Sequence, residues 1–420
     1  MSSEQLRVAM LSVHSCPLGR LGTRDTGGMS VYIREISREL GRRGIRVDIY
    51  TRAHDPEEER IVDLGENARV VHLQVGQVEP VNKLALYADL ADFACAVEGF
   101  RRRNSLRYDL VHSHYWLSGW VGERLRVWWS VPHITMFHTL GAVKNAIGVG
   151  EDEPELRLVN EAELARGCDR IMAATEKEKG DLVALYGASG DRVGVVPCGV
   201  NLGLFQRVDR ESARQRLGFN SESIVLYVGR VEPLKGLDRL LMAMPRLEVP
   251  RHLRTVVVGG DDEADGEVER LRSLSSSLGI GAAVDFVGVV RQEELPLYYS
   301  AADLCIVPSH YETFGLVALE SLACGTPVVA TRVGGMESVI RHGRNGYLVH
   351  DNSPESLAAG MAAVLEQPCA IAETPVGIRA SVAPFVWSNV ADGILREYFI
   401  ALPFQGTWGR GDRCPLSRGD

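Results

Sequence analysis

Pro308-Ser-His-Tyr-Glu-Thr-Phe-Gly-Leu-Val-Ala-Leu-Glu320 follows a short apolar run, Leu304 to Val307, and leads into a helical pattern closed by Cys324-Gly-Thr-Pro327. The run reads as a buried parallel strand, and the quoted stretch as a strand-to-helix turn. A helix beginning at Phe314-Gly315-Leu316 leaves backbone N–H groups unpaired over the end of that strand, a ready anion site. Glu312 lies just before the helix and Glu320 about a turn and a half inside it. Free amides beside two carboxylates suit a ligand that is part diphosphate and part sugar, with phosphate on the amides and vicinal hydroxyls on the carboxylates. A lone glutamate near a helix start also serves simply to complement the helix dipole. The rest of the chain decides between these readings.

The chain has 420 residues, 45% hydrophobic and 24% charged, which suits a globular protein of two domains. Its net charge of −9 disfavours nucleic acid as a partner. No window approaches the ~20 apolar residues of a membrane span. The start, Met1-Ser-Ser-Glu-Gln-Leu-Arg, lacks the apolar core of a signal peptide, so a cytoplasmic location is expected. The eight cysteines are scattered without a C-x-x-C pair. Most, such as Cys95, Cys305 and Cys324, sit among apolar neighbours, and they read as reduced, buried thiols rather than a disulfide frame or a zinc site.

From the N-terminus, Leu6 to Val13 reads as a strand, followed by a loop ending in Gly27-Gly28 and a helix carrying Met29, Tyr32, Ile33, Ile36 and Leu40 at helical spacing. Strand, glycine loop and helix is a layout that brings backbone close to phosphate. A glycine pair chosen only for its dihedrals explains the loop equally well. Further strands are expected at Arg46–Tyr50, Val70–Leu73, Leu110–His112 and His133–Met136, a βα alternation that predicts a parallel sheet covered on both faces. Polar residues close three strands, at His112-Ser-His114-Tyr115, at Phe137-His138-Thr139 and at Ala174-Thr175-Glu176, and they are expected to face the ligand crevice. No third ligand accompanies His112 and His114 at metal spacing, so no metal site is assigned there. Glu57-Glu-Glu59 reads as a solvated loop, Arg157 and Glu161 as a surface ion pair, and Lys83 as an ordinary surface lysine.

A break falls at Gly199–Phe205, after which the alternation restarts with strands at Ile224–Val228, Thr255–Val258, Val284–Val287, Leu304–Val307 and Val328–Thr331. The fold class is therefore α/β, with two doubly wound halves and a site in the cleft between them. The expected limits are 1–200 and 201–382 for the two halves, 383–402 for a returning helix and 403–420 for a loose Gly-, Pro- and Arg-rich tail. Arg230 and Lys235 flank the first turn of the second half, and placed opposite Phe314–Leu316 they neutralise a diphosphate without a metal.

Gly229-Arg230…Lys235-Gly236, Glu312…Glu320 and Gly325-Thr-Pro327 together resemble the retaining GT-B glycosyltransferases of family 4. The similarity runs from Leu6 to about Phe399. Ser12-Val-His-Ser-Cys-Pro-Leu-Gly, His112-Ser-His-Tyr-Trp-Leu-Ser-Gly119 and Phe137-His-Thr-Leu-Gly-Ala-Val-Lys144 are most similar to the inositol-phosphate N-acetylglucosaminyltransferases of mycothiol synthesis, and next to the sucrose-phosphate synthases. The resemblance implies a GT-B fold of two Rossmann-like domains, the first binding acceptor and the second binding nucleotide sugar, with a crossover helix returning to the first.

It also implies roles. Arg230 and Lys235 bind the donor diphosphate, with Gly27 and Gly28 approaching from the other domain. Glu320 holds the ribose, and Glu312 the donor sugar together with the amides of Phe314, Gly315 and Leu316. His138 contacts the sugar near its reacting face. Lys83, Tyr115, Thr139 and Arg157 clamp an acceptor phosphate. Ser30 stands where close relatives carry Asn, and Asp261-Asp262 where the inositol-phosphate enzymes carry Pro-Ser-Gly.

The expected reaction moves a glucosyl or N-acetylglucosaminyl group, with retention, from a nucleoside-diphosphate sugar (a UDP-sugar) to a phosphorylated polyol or sugar such as inositol phosphate. No cofactor or metal is expected. Transfer to fructose 6-phosphate, a GT-B-fold epimerase, a metal-dependent transferase using Asp261-Asp262 and a non-catalytic nucleotide-sugar binder are the alternatives. A homodimer stays open, since oligomeric state leaves no trace in the sequence.

Overall fold

The computed structural model of the chain describes residues 5–19, 21, 26–55, 57–76, 84–247, 252–260, 266–366 and 371–403. Lys83, the Asp261-Asp262 pair and the tail from 404 onward lie outside the described residues. The first sheet contains β1 (Arg7–Leu11), β2 (Arg46–Arg52), β3 (Ile61–Gly65), β4 (Ala68–Leu73), β5 (Leu110–His114), β6 (His133–Met136), β7 (Arg170–Ala173) and β8 (Val193–Val195). Their order across the sheet is β3-β4-β2-β1-β5-β6-β7-β8. The second sheet contains β9 (Ser223–Val228), β10 (Leu253–Val258), β11 (Val284–Gly288), β12 (Leu304–Val307), β13 (Val328–Thr331) and β14 (Gly346–Val349), ordered β11-β10-β9-β12-β13-β14.

Near-continuous Val, Ile and Leu runs produce these strands because both sheet faces are covered by helices. Val8 to Leu11 are fully buried, as are Val225 and Val328. In each sheet the strand order reverses once, between β1 and β5 and between β9 and β12. Such reversals open the crevice in which α/β sheets bind ligands.

Three expectations need correction. The first sheet is not wholly parallel, because β3 runs antiparallel to β4. The segment at Glu57–Glu59 is not merely solvated, since Glu58 Oε1 lies 3.1 Å from the buried His72 Nε2. Cys95 is exposed, because the helix Leu90–Arg103 turns Phe93, Ala94 and Val97 inward and leaves Cys95 on its outer face.

After the second sheet the chain returns as the helix Trp387–Ala401, which buries Trp387, Val390, Ile394 and Tyr398. Arg43 Nη1 meets Asp392 Oδ1 at 2.5 Å, Arg170 Nε donates to Glu397 Oε2 at 2.9 Å, and Tyr398 Oη lies 2.8 Å from His112 Nδ1. The linker is held too, with Arg379 Nη2 donating to Leu202 O at 2.8 Å. His112 is therefore a buried anchor for this helix and not a residue facing the crevice. Tyr398→Phe is expected to lower stability by about 1–3 kcal/mol, because it strands a buried imidazole nitrogen. A urea midpoint equal to wild type would show that the bond contributes nothing.

Candidate active site

Both reversals in strand order carry the residues singled out by the sequence. At the β9/β12 crevice the chain leaves β9 through Gly229 and Arg230, makes a short 3-10 turn at Pro233–Lys235 and enters the helix Leu237–Ala243 through Gly236. Gly236 has φ +67°, and a Cβ there would lie 2.1 Å from Pro308 O, so this turn packs directly on the loop after β12. That loop ends at Gly315, whose φ is +97° and whose added Cβ would meet Met336 Cε at 2.0 Å. The helix Leu316–Ala323 starts there without a side-chain cap. Its first amides are thereby kept for a ligand or for water. Lys235 Nζ donates to Glu312 Oε2 at 2.6 Å, and both groups stay partly accessible. Arg230 Nη2 lies 3.0 Å from Glu232 Oε1.

At the β1/β5 crevice the helix Gly28–Arg42 begins at Gly27, again without a side-chain cap. A Cβ on Gly27 would sit 3.8 Å from Arg230 Nε, and one on Gly28 would sit 3.4 Å from Leu316 Cδ1. The two crevices therefore face each other at close range. Thr313 Oγ1 donates to the His138 carbonyl, and Leu140 N–H donates to Tyr311 Oη at 3.2 Å.

His138 follows β6 with φ +62°, and its ring packs edge-on to Tyr32. Its Nε2 lies 2.9 Å from His114 Nδ1. Burial lowers its pKa to about 3, so the ring is neutral at physiological pH. Glu320 is buried and accepts from Tyr299 Oη at 2.8 Å. It borders a small cavity with Glu35, Asn201 and Gln292.

Of the four residues assigned to an acceptor phosphate, three come together. Tyr115 lies just after β5 with φ +74°, and the Arg157 guanidinium stands 4.9 Å from its ring centre. Arg157 Nη2 donates to Thr139 O at 2.8 Å and to Thr139 Oγ1 at 2.9 Å. The surface ion pair expected for Arg157 and Glu161 is instead buried, with side-chain exposures of 2% and 1%. Arg157 Nε donates to Glu161 Oε1 at 2.7 Å and its Nη1 meets Glu153 Oε2 at 2.8 Å. Lys144 pairs with the other oxygen of Glu153. Burial works against the guanidinium's charge, but Tyr115, Glu161 and Glu153 outweigh it and hold its pKa above the ordinary value. The helix Glu155–Gly167 positions both Arg157 and Glu161. Sequence reasoning missed Glu153 and Tyr299, because neither sits at a spacing that marks it.

Two doubly wound sheets facing across uncapped helix starts are a scaffold for a phosphate-bearing ligand, and comparison with known proteins identifies the class. Residues 26–204 match the description Glycosyltransferase Family 4, and residues 209–377 match Glycosyl transferases group 1. The chain belongs to the GT-B glycosyltransferases of family 4. It is 42% identical over 405 residues to a D-inositol 3-phosphate glycosyltransferase of Geodermatophilus obscurus, covering 94% of this chain and 89% of that one. A second such enzyme, from Catenulispora acidiphila, is 42% identical over 93% of this chain and 94% of its own. Among solved structures, sucrose-phosphate synthase from Thermosynechococcus elongatus superposes with a TM-score of 0.87 at 33% identity, covering 94% of this chain and 100% of that one. Anabaena HepE in complex with UDP-glucose shares the fold, with a TM-score of 0.75, 18% identity, and coverage of 94% and 100%. No helix among the described residues is long and apolar enough to cross a membrane.

Burial pushes the carboxyls of Glu320 and Glu178 up to about 7 from an ordinary 4.5. Glu178 sits at the start of the helix Glu176–Tyr186, where Ala174 N–H donates to its Oε2 at 2.7 Å. A carboxyl whose folded pKa is raised binds more protons folded than unfolded. Its contribution to stability is therefore full below pH 4.5 and declines as pH rises to about 7. The Glu178→Gln/Glu320→Gln double variant is expected to gain melting temperature over wild type progressively across that window, with a constant gap above it. A gap that does not change with pH would contradict the assignment.

Proposed function

We propose that this enzyme transfers a hexosyl group, glucosyl or N-acetylglucosaminyl, from a UDP-sugar to a hydroxyl of a phosphorylated polyol of the inositol phosphate class, with retention at the anomeric carbon. The observation that carries the acceptor half is the Tyr115–Thr139–Arg157 cluster beside the His138 loop. In this reading the phosphate of the acceptor seats against that cluster. Arg157 and Lys144 carry two positive charges and Glu153 and Glu161 two negative ones, so the pairs cancel. A phosphate arriving there brings negative charge that these cancelled pairs leave uncompensated, and Lys83 supplies the positive charge in the role the family resemblance implies.

The donor half rests on Arg230, Lys235 and the amides at Gly28 and Leu316, which converge from both crevices. Lys235 and Arg230 carry the charge of the departing diphosphate, and the helix starts add their amides. Glu312 and Glu320 accept hydroxyls of the sugar and the ribose. Glu312, held by Lys235, is a positioning group for the sugar rather than a nucleophile. Reaction proceeds by front-face attack, with the leaving phosphate taking the acceptor's proton, and no metal is assigned to the cleft. Neutral His138 accepts from or donates to the sugar without adding charge at the reacting carbon. Domain limits near 200 and 382 follow from the same reading.

A second reading, transfer to fructose 6-phosphate, is favoured by the 33% identity with a sucrose-phosphate synthase. Both are separated by measuring UDP release from UDP-glucose and UDP-N-acetylglucosamine, with inositol phosphate, fructose 6-phosphate and their unphosphorylated forms. Release that requires the phosphate is expected. Arg157→Lys keeps the charge but loses the fork, and is expected to raise acceptor KM about tenfold or more with little change for donor. Lys235→Ala is expected to cut turnover about 10²–10³-fold. Equal release with unphosphorylated acceptors would remove the acceptor half, and full turnover by a folded Lys235→Ala variant would remove the donor half.

A further inference from the structure

Beside the start of the helix Gly28–Arg42, three side chains from separate segments meet. Cys16 comes from the loop after β1, Glu58 from the segment before β3, and His72 from β4. Cys16 Sγ lies 3.3 Å from His72 Nε2, and Glu58 Oε1 lies 3.1 Å from the same nitrogen. All three ligand atoms lie within 4.8 Å of one another. Cys16 and His72 are buried, with 4% and 3% of their surface exposed.

Each of the three is held from behind by backbone. His72 Nδ1 lies 2.6 Å from the Glu59 carbonyl, Leu18 N–H donates to Cys16 Sγ at 3.4 Å, and His54 N–H donates to Glu58 Oε2 at 2.9 Å. A carbonyl can only accept, so the proton of a neutral His72 sits on Nδ1 and the Nε2 lone pair points at the sulfur and the carboxylate. Three electron-pair donors then converge on one point. The thiol proton can serve one of these contacts and not the others. A second ring proton, a proton on the carboxyl or a cation sitting among them satisfies the remaining contact.

We propose that Cys16, Glu58 and His72 bind a thiophilic divalent cation of the Zn²⁺ class, with water as the fourth ligand. Thiolate, imidazole and carboxylate are the zinc donor set, and a tetrahedral ion at usual bond lengths separates such atoms by roughly 3.4–3.6 Å. The observed 3.3 and 3.1 Å to His72 need only a few tenths of adjustment, and the Cys16–Glu58 pair lies within 4.8 Å. The outer carbonyl and amides orient the ligands as metal sites require. Binding takes no electrons. Burial pushes the Cys16 thiol up to about 11, and its proton leaves to solvent as the sulfur–metal bond forms, so uptake tightens as pH rises. The site braces the start of the loop that ends at Gly27-Gly28, tying it to β4 next to Ser15, whose Oγ lies 2.6 Å from Ser30 Oγ in the first turn of the helix Gly28–Arg42.

The test uses the full chain stripped with chelator and titrated with Zn²⁺, and separately with Co²⁺. About one Zn²⁺ per chain is expected, with a rise in melting temperature. Bound Co²⁺ should show a thiolate-to-metal charge-transfer band. Cys16→Ser and His72→Gln should each weaken binding at least about tenfold, a loss on the order of 1.4 kcal/mol, while Cys95→Ser, at an exposed thiol, leaves it unchanged. Co²⁺ bound to the wild-type chain without that band, a band surviving in Cys16→Ser, or no stoichiometric Zn²⁺ would each overturn the proposal. The wild-type spectrum decides even if a variant fails to fold.

Discussion

Parallel strands send every strand-to-helix loop to the same edge of their sheet, and a reversal of strand order opens a crevice at that edge. In this chain the constraint operates twice, at β1/β5 and at β9/β12. The helix Trp387–Ala401 and the linker held by Arg379 then fix the two edges toward each other. Gly27 reaches Arg230 and Gly28 reaches Leu316 only because of that facing arrangement. Neither half alone brings cationic side chains and two uncapped helix starts to one place. Glycine is required at Gly236 and Gly315 for left-handed turns under the opposite wall.

Charge is the second organising factor. A guanidinium as deeply buried as that of Arg157 costs several kcal/mol unless it is paired and hydrogen-bonded. Glu161, Glu153 and Thr139 meet that requirement from three sides. The same bonds that neutralise Arg157 also fix its plane, so that it presents one orientation beneath Tyr115 without reorganising. Lys235 and Glu312, in contrast, form a pair that stays partly accessible.

How much was legible follows from how local each feature is. The Glu312 to Glu320 stretch, its strand and its uncapped helix lie within one continuous segment, and the structure matches that reading closely. β14 and β3 were not anticipated, because four or five residues around a glycine offer no clear alternation. Cys95 was misread because its neighbours in sequence are apolar while its own face of the helix is not. The burial of Arg157 and Glu161 was invisible, since an i,i+4 ion pair looks the same on a surface and under a loop. The family resemblance singles out Arg157 for an acceptor role without indicating that it is buried. Cys16, Glu58 and His72 are spaced too irregularly for any ligand pattern, and only strand pairing between β1, β2 and β4 brings them together.

The backbone itself marks the same residues by an independent route. Tyr115 and His138 both adopt left-handed φ, a conformation that costs a side chain with a Cβ roughly 1–2 kcal/mol. Asn67, Ser105 and Ser130 share it, and asparagine and histidine adopt it more readily than most residues with a Cβ, so Tyr115 is the clearest outlier among them. For a tyrosine and a histidine at the ends of neighbouring strands, β5 and β6, the surroundings have to over-determine the geometry. They do so here. Arg157 holds the Tyr115 ring, while His114 and the Thr313 hydroxyl hold the ring and the carbonyl of His138. Strain retained at two adjacent strand ends and nowhere compensated by a turn is characteristic of pre-organised sites. It turns the Tyr115 ring over the buried guanidinium and the His138 carbonyl toward Thr313 of the facing loop, an arrangement that relaxed extended backbone at these two positions would not produce.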